Sequence, residues 1–230
     1  MTLFFFQGLT DSAKKANELL NTAPENVKIF DLLANGGPLM IPLVILLLLA
    51  IFFFIERVLA INKASKIEGN FMNIIRDHIV TGNVAAARSL AKNTDNAVAR
   101  IIDKGVQRIG KPIEAIEKSM ENVGKLEMYK MERNVSILSM IAGMAPMVGF
   151  LGTIFGMIQL FSNINSTGKF DLNTIAGGIY VKMITSATGL IIGLLAYMAY
   201  NYLNTQIDKT ANKMEASSSE FLDILQEPTK

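Results

Sequence analysis

The sequence predicts an all-α membrane protein with three transmembrane helices and long cytoplasmic helical extensions. Three stretches of membrane length carry almost no charge: residues 36–55 and 134–168 have none, and residues 172–207 have only Lys182. Uncharged runs of about 18 or more mostly apolar residues are typical of transmembrane helices. Half of the 230 residues are hydrophobic, and the mean hydropathy is +0.34, which agrees with a membrane protein.

The charge distribution predicts how the chain crosses the membrane. Residues 63–133 hold most of the 22 Lys and Arg residues, and such segments face the cytoplasm. The N-terminus and the loop between the second and third spans then lie in the periplasm, and the C-terminus lies in the cytoplasm. The predicted segments are an N-terminal periplasmic amphipathic segment (1–35), the first span (36–62), a cytoplasmic helical domain (63–133), the second span (134–162), a periplasmic loop (163–173), the third span (174–204) and a cytoplasmic C-terminal helix and tail (205–230).

The first span begins with Pro38 and Pro42, in the first turns of the helix, where a missing backbone N–H costs least. Glu56 and Arg57 form a charged pair near its far end; we expect them to pair or to extend toward water. Before this span, residues 10–35 are predicted to form a short amphipathic helix with a linker. That helix either lies on the membrane surface or is a loosely packed tail.

The cytoplasmic segment is predicted to be a series of helices with breaks at Gly82, around 93–96 and at 110–112. From Pro112 onward, apolar residues recur at spacings of three and four, which predicts one long amphipathic helix. The sequence shows no stop before Asn134. We therefore expect this helix to continue without a break into the second span, and to pack with the C-terminal helix beneath the membrane.

Several function classes are disfavoured by composition. The chain has no cysteine and one histidine, His78, so it offers no thiolate site, and His78 is interpreted as a surface residue because it has no second histidine to share a metal. Basic residues alternate with acidic ones, which is typical of a solvated helix face and gives no reason to expect nucleic-acid binding. No nucleophile–base pair, metal cluster or phosphate loop indicates an enzyme.

The second span carries small residues on one face. Gly149, Gly152, Thr153 and Gly156 are spaced 3, 1 and 3, which places them on one stripe of a helix. Within lipid, such residues let backbones approach closely, and the GxxxG of Gly152 and Gly156 is a known packing pattern. The stripe is therefore either ordinary helix packing or a smooth wall that bears one hydroxyl.

The third span has a similar face with a charge on it. Lys182, Ser186, Gly189 and Gly193 lie at i, i+4, i+7 and i+11, hence on one side of the helix. A charge within a membrane costs about 3 kcal/mol or more and usually faces protein or water. The alternative is that Lys182, about 12–15 Å along the helix from the start of the span, extends its side chain outward to water. Two further hydroxyls lie nearby in the sequence, on Thr185 and Thr188.

Two polar, small-residue faces predict a lumen lined by the second and third spans, with the first span facing lipid. Three spans cannot readily enclose a lumen, so we expect a homo-oligomeric ring. Neither the second nor the third span contains Asp, Glu or His. A group that accepts protons in this lumen must therefore come from another chain.

These residues resemble a known family. "IAGMAPMVGFLGTIFGMIQLF" (141–161) is similar to the second-span signature A-P-x-x-G-L-L-G-T-x-x-G-M of the MotA/TolQ/ExbB proton-channel family. "TSATGLIIGLLAYMAYN" (185–201) resembles its third-span pattern, and "NGGPLMIPL" with "IERVLAI" looks like the ExbB branch. The resemblance covers nearly all of residues 30–210. The positions that match the second-span signature are Ala145, Pro146, Gly149, Leu151, Gly152, Thr153, Gly156 and Met157.

The resemblance implies a pentameric ring in the inner membrane of a Gram-negative bacterium. Two single-span helices of an ExbD-like partner would occupy the pore and carry the proton-accepting aspartate, and a TonB-like protein would pass the work to outer-membrane receptors. Thr153 and Ser186 fall on the family's pore-lining hydroxyl positions. The predicted ion-pathway residues are Thr153, Ser186, Thr185, Lys182 and Thr188; the residues predicted to pack the pore wall are Pro146, Gly149, Gly152, Gly156, Gly189 and Gly193.

The chain departs from the family pattern in the third span. The family's glutamate would be Val181 here, with Lys182 after it; Leu195 stands for a proline and Ser186 for a threonine. Clustered hydroxyls could coordinate sodium as oxygen ligands, although protons remain the expected coupling ion and no other cofactor is expected. We hypothesise that Lys182 lowers the pKa of the partner's aspartate.

Other functions stay open at this point. A TolQ-like subunit and a gliding or flagellar stator subunit are related alternatives that the sequence separates poorly. From a different class, the chain could be a small-solute transporter or a membrane scaffold that binds a soluble partner. Secondary transporters usually show repeated spans and broken helices around a midplane site, and the sequence shows neither feature.

Overall fold

The computed structural model describes residues 38–67, 69–168 and 171–226, and every regular element in this part of the chain is an α-helix. The predicted amphipathic segment at residues 1–35 lies outside the described residues. The helices are α1 (Met40–Ser65), α2 (Phe71–Val80), α3 (Val84–Asn93), α4 (Ala97–Val106), α5 (Ile113–Glu132), α6 (Val135–Thr167) and α7 (Leu172–Gln226).

Three helical stretches are long and apolar enough to cross a membrane, which confirms the predicted number of spans. They are α1, the consecutive pair α5 and α6 (Ile113–Thr167), and most of α7 (Ile175–Gln226). In the second stretch the uncharged part begins after Arg133, so the apolar span corresponds to α6 and not to α5. The loop between the last two spans is shorter than predicted, because α6 continues to Thr167 and α7 begins at Leu172.

The three spans pack as a bundle in which α6 and α7 are the main pair and α1 lies against both. Helix α1 contributes a narrow buried stripe that includes Leu43, Ala50 and Ile61. Its other faces expose large apolar side chains such as Leu48 and Phe52. Exposed apolar side chains on a spanning helix are suited to contact with lipid, as the sequence predicted for this span.

The helices outside the three spans surround α4, which is buried over most of its length. The side chain of Phe221, from the far end of α7, is fully buried, and it contacts the position where Gly105 of α4 lacks a Cβ. Met120 of α5 contacts the same position. The two long extensions, α5 and the C-terminal part of α7, therefore pack together through α4, as expected.

Local signals in the sequence explain where the cytoplasmic helices begin and end. Asn83 and Asn96 cap α3 and α4 by accepting hydrogen bonds from the backbone N–H groups of Ala86 (3.1 Å) and Ala99 (2.7 Å). Such a cap contributes about 1 kcal/mol. The predicted break at Gly82 has φ +75°, a left-handed conformation that favours glycine.

The expectation of an unbroken helix from Pro112 into the second span is wrong. Helix α5 ends at Glu132 and α6 begins at Val135. Arg133 is extended (ψ 133°) and Asn134 is left-handed (φ 68°). Asparagine tolerates this conformation better than most residues, and the carbonyl groups freed at the end of α5 receive hydrogen bonds from another helix, as described below.

Candidate functional site in the membrane

The two backbones of α6 and α7 touch at Gly149 and Gly189. A Cβ atom on Gly149 would lie 3.1 Å from the Cα of Gly189 and 3.1 Å from the carbonyl oxygen of Thr185. A Cβ atom on Gly189 would lie 2.6 Å from the carbonyl oxygen of Ala145, closer than any ordinary contact. No residue other than glycine fits at these two positions without a shift of the backbone.

The close contact extends along both helices in either direction. Toward the start of α6, the ring of Pro146 occupies the space beside Gly193, where a Cβ atom would lie 2.6 Å from its Cγ. Toward the end of α6, the methyl group of Thr185 would lie 2.8 Å from a Cβ on Gly152. The glycine stripe of the second span thus packs on the third span of the same chain. All residues predicted to pack the wall lie in this interface: Pro146, Gly149, Gly152, Gly156, Gly189 and Gly193.

The predicted hydroxyls differ in exposure. Thr185 is only 1% exposed and lies between the two helices, behind Gly152. Thr153, Ser186 and Thr188 are each partly exposed. The hydroxyls of Thr153 and Thr188 donate to carbonyl oxygens of their own helices, Phe150 (2.7 Å) and Ile184 (2.9 Å). A hydroxyl that donates in this way still offers its oxygen lone pairs to an ion, water or partner.

Lys182 lies at the level of Gly156 with its side chain partly buried. Its Cγ, Cδ and Cε atoms occupy the space beside Gly156 that a Cβ atom would fill. No carboxylate of the described residues forms an ion pair with Lys182. The structure therefore places the methylene chain of a lysine between two spans that contain no acidic residue.

Glu56 and Arg57, near the C-terminal end of α1, form an ion pair, and Arg57 makes further hydrogen bonds. The guanidinium of Arg57 hydrogen-bonds the carboxylate of Glu56 and is 5% exposed. It also donates to the carbonyl oxygens of Lys130 (3.1 Å) and Arg133 (2.8 Å). Arg57 thus caps the broken end of α5, a role that the sequence analysis missed because it gave no sign of the break.

A second feature that the sequence analysis missed is a buried carboxylate in the helical segment between the first two spans. Glu127 accepts hydrogen bonds from Arg100 and Lys130, each at 2.7 Å, and its side chain is 3% exposed. Burial alone would raise the pKa of Glu127, but the hydrogen bonds and charges of Arg100 and Lys130 outweigh it and lower the pKa. The ion pair of Glu127 with Arg100 joins α4 to α5.

Comparison with known proteins shows the family of this chain. The sequence model of the MotA/TolQ/ExbB proton channel family matches residues 93–216, which is more than half of the chain. The match includes α4, α5, α6 and α7 as far as residue 216. The chain belongs to this family, as its span signatures predicted.

Curated relatives carry the names ExbB and TolQ. An ExbB homologue of Methanothermobacter thermautotrophicus is 26% identical over 162 residues, or 70% of this chain and 57% of that protein. The biopolymer transport protein ExbB of Neisseria gonorrhoeae is 31% identical over 77 residues, 34% of this chain and 35% of that protein. The Tol-Pal system protein TolQ of Haemophilus influenzae is 28% identical over 111 residues, 48% of this chain and 47% of that protein.

Proposed function

We propose that this chain is the ring-forming subunit of an ion-driven energy transducer of the ExbB type in the inner membrane of a Gram-negative bacterium. Five copies would surround two single-span helices of an ExbD-like protein, and a TonB-like protein would carry the work to outer-membrane receptors. The N-terminus would lie in the periplasm and the C-terminus in the cytoplasm. The observation that carries this proposal is the direct backbone contact of α6 and α7 at Gly149 and Gly189.

This contact favours a ring because it makes the second and third spans one thin, rigid unit. Hydrophobicity does not drive helix association within lipid, so close packing of small residues supplies much of the attraction. Copies of such a unit can stand side by side around an axis, with α1 on the lipid side. The extensions α5 and α7 would brace the ring from the cytoplasm through their shared core around Phe221.

In this proposal the ion path is polar but carries no carboxylate or histidine of its own. Thr153, Ser186 and Thr188 are partly exposed and would line the path, while Thr185 would support the wall from behind Gly152. The partner's carboxylate would accept the transported proton. Sodium is the second candidate ion, because hydroxyl and carbonyl oxygens are ligands that hard cations accept.

A TolQ-like role is the second candidate function, and the similarity to TolQ of Haemophilus influenzae favours it specifically. A gliding or flagellar stator would share the same membrane architecture. A small-solute transporter fits less well, because α1, α6 and α7 are continuous helices within the described spans, whereas secondary transporters use broken helices at the midplane. A membrane scaffold would not need the polar hydroxyls.

Native mass spectrometry of the complex, extracted from its own membrane in mild detergent, tests the proposal. Five copies of this chain with two copies of a short single-span protein would support it. The sequence of that protein's periplasmic domain would separate the ExbB and TolQ alternatives. A chain that leaves the membrane only as a monomer or dimer, without a single-span protein, would overturn it.

A further inference from the structure

We propose that Lys182 is the docking cation for a carboxylate carried by a membrane helix of a second protein. This inference rests on the proposed function, because it names the group that holds the single-span partner against this chain. Its evidence is the depth of Lys182, the path of its side chain, and the charges around it.

Lys182 lies inside the predicted third span and away from its ends. It follows the start of that span at residue 174 by eight residues, which corresponds to about 12 Å along the helix. The contacted residue Gly156 precedes the end of the second span at residue 162 by six residues, or about 9 Å. Both helices therefore place the Lys182 side chain within the apolar spans.

The path of the side chain argues against snorkelling. A lysine that snorkels extends its methylene groups along the helix toward water. Here Cγ, Cδ and Cε all lie beside Gly156, so the side chain crosses from α7 to the neighbouring helix at the same depth. Gly156 makes this possible because any Cβ atom would collide with the lysine methylene groups.

The ammonium group lacks a counter-ion within its own chain. Residues 134–168 and 172–207 contain no Asp or Glu, and within the described part of the chain Lys182 forms no ion pair. A charge that lies within a membrane span without a counter-ion is unfavourable. A counter-ion would therefore have to come from another molecule.

A carboxylate on a helix fits this position better than a lipid phosphate does. Lipid phosphates lie outside the hydrocarbon core, whereas the side chain of Lys182 is not extended toward the headgroups. The hydroxyl-bearing residues nearby that are partly exposed, Thr153 and Ser186, are small and allow another helix to approach closely. Asp or Glu on that helix would then be within reach of the ammonium group.

Carbodiimide cross-linking of the intact complex in native membranes tests the inference. Dicyclohexylcarbodiimide enters membranes and adds to a carboxyl group to give an O-acylisourea. The amine of a lysine paired with that carboxyl group then attacks the acyl carbon, forms an amide bond and releases dicyclohexylurea. We expect a peptide in which Lys182 is joined to an Asp or Glu of another chain's membrane helix. The ion pair between Lys118 and Glu121 (2.8 Å) serves as the internal positive control. Recovery of the control link without a Lys182 link would overturn the inference.

Variants at Lys182 provide a second, independent readout. Lys182→Arg keeps the charge but cannot form the amide, so the partner should be retained and the cross-link lost. Lys182→Met keeps much of the shape without the charge, and it should reduce the retained partner by about tenfold or more. Lys213→Met, at an exposed position of the cytoplasmic extension, is the matched control and should change nothing.

The outcomes also separate this inference from the proposed function. If a partner is retained with Lys182 unlinked, or if Lys182→Met retains it fully, the docking role is wrong while the ring proposal stands. If a phospholipid rather than a protein is lost with Lys182→Met, the cation binds a lipid headgroup and the inference is overturned. If the wild-type chain retains no partner at all, both proposals fail.

Discussion

The guanidinium of Arg57 donates a hydrogen bond of 2.8 Å to the carbonyl oxygen of Arg133. This contact joins the cytoplasmic end of the first span to the break between α5 and α6. The same guanidinium donates to the carbonyl oxygen of Lys130 at 3.1 Å, so one side chain satisfies two carbonyl groups at the end of a helix. Terminal carbonyl groups need such partners when they are not solvated.

Replacement of Arg57 by methionine should destabilise the protein strongly. The change leaves the carbonyl groups of Lys130 and Arg133 without their side-chain donor, and a buried acceptor left unsatisfied costs about 1–3 kcal/mol. We expect a clear fall in the thermal unfolding midpoint of the detergent-solubilised chain. Lys104→Met removes a cation that has no ion pair within the described chain and should leave the midpoint nearly unchanged. Equal midpoints for Arg57→Met and wild type would contradict the capping role.

Alanine at Gly189 should disrupt the α6–α7 pair, because its Cβ would meet a backbone carbonyl oxygen at 2.6 Å. Backbone atoms cannot move aside cheaply, and overpacking of this kind costs about 1–3 kcal/mol. Gly143→Ala is the matched control on α6, since nothing lies within 4 Å of its Cβ position. We expect Gly189→Ala to lower the unfolding midpoint and the yield of assembled complex. If both variants behave alike, direct backbone contact does not hold the two spans together.

The lowered pKa of Glu127 predicts a pH dependence of stability. A carboxyl group whose pKa is lower in the folded state stabilises the fold at pH values above its unfolded pKa. That stabilisation is lost as the pH falls from about 4.5 through the folded value. The free energy of unfolding of the wild-type chain in urea should therefore fall when the pH is lowered from about 6 to about 3. Glu127→Gln should be less stable at pH 6 and show a shallower decline, whereas Glu220→Gln, at an exposed position, should follow wild type.

The spans and the glycine face were predictable because they depend on local patterns. Uncharged length fixes a membrane helix, and spacings of three and four fix which glycines share a face. The break at Asn134 was not predictable, because it is stabilised by Arg57, which is 76 residues away along the chain from Arg133. The pairing of Arg100 with Glu127 likewise joins residues 27 positions apart. Periodicity carries no information about such distant partners.

The hydroxyl of Thr153 should matter for ion flow and not for folding. Its only hydrogen bond within the described structure goes to the carbonyl oxygen of Phe150 in the same helix (2.7 Å), so Thr153→Val removes no contact between helices. If the hydroxyl lines the ion path, the barrier to ion passage should rise. A tenfold fall in flux corresponds to about 1.4 kcal/mol, and we expect at least that effect.

The measurement is ion flux through the complete complex reconstituted in liposomes, with a pH-sensitive dye inside and an imposed membrane potential. Thr205→Val is the matched control, because Thr205 donates to the carbonyl oxygen of Asn201 in the same way (2.9 Å) but lies on the cytoplasmic extension of α7. Thr153→Val should reduce the ion flux and leave the unfolding midpoint unchanged. Thr205→Val should leave both the ion flux and the unfolding midpoint unchanged. Flux that depends on a sodium gradient instead of a proton gradient would assign sodium as the coupling ion. Full flux in Thr153→Val would remove Thr153 from the ion path, because valine retains the shape of threonine and lacks only the oxygen.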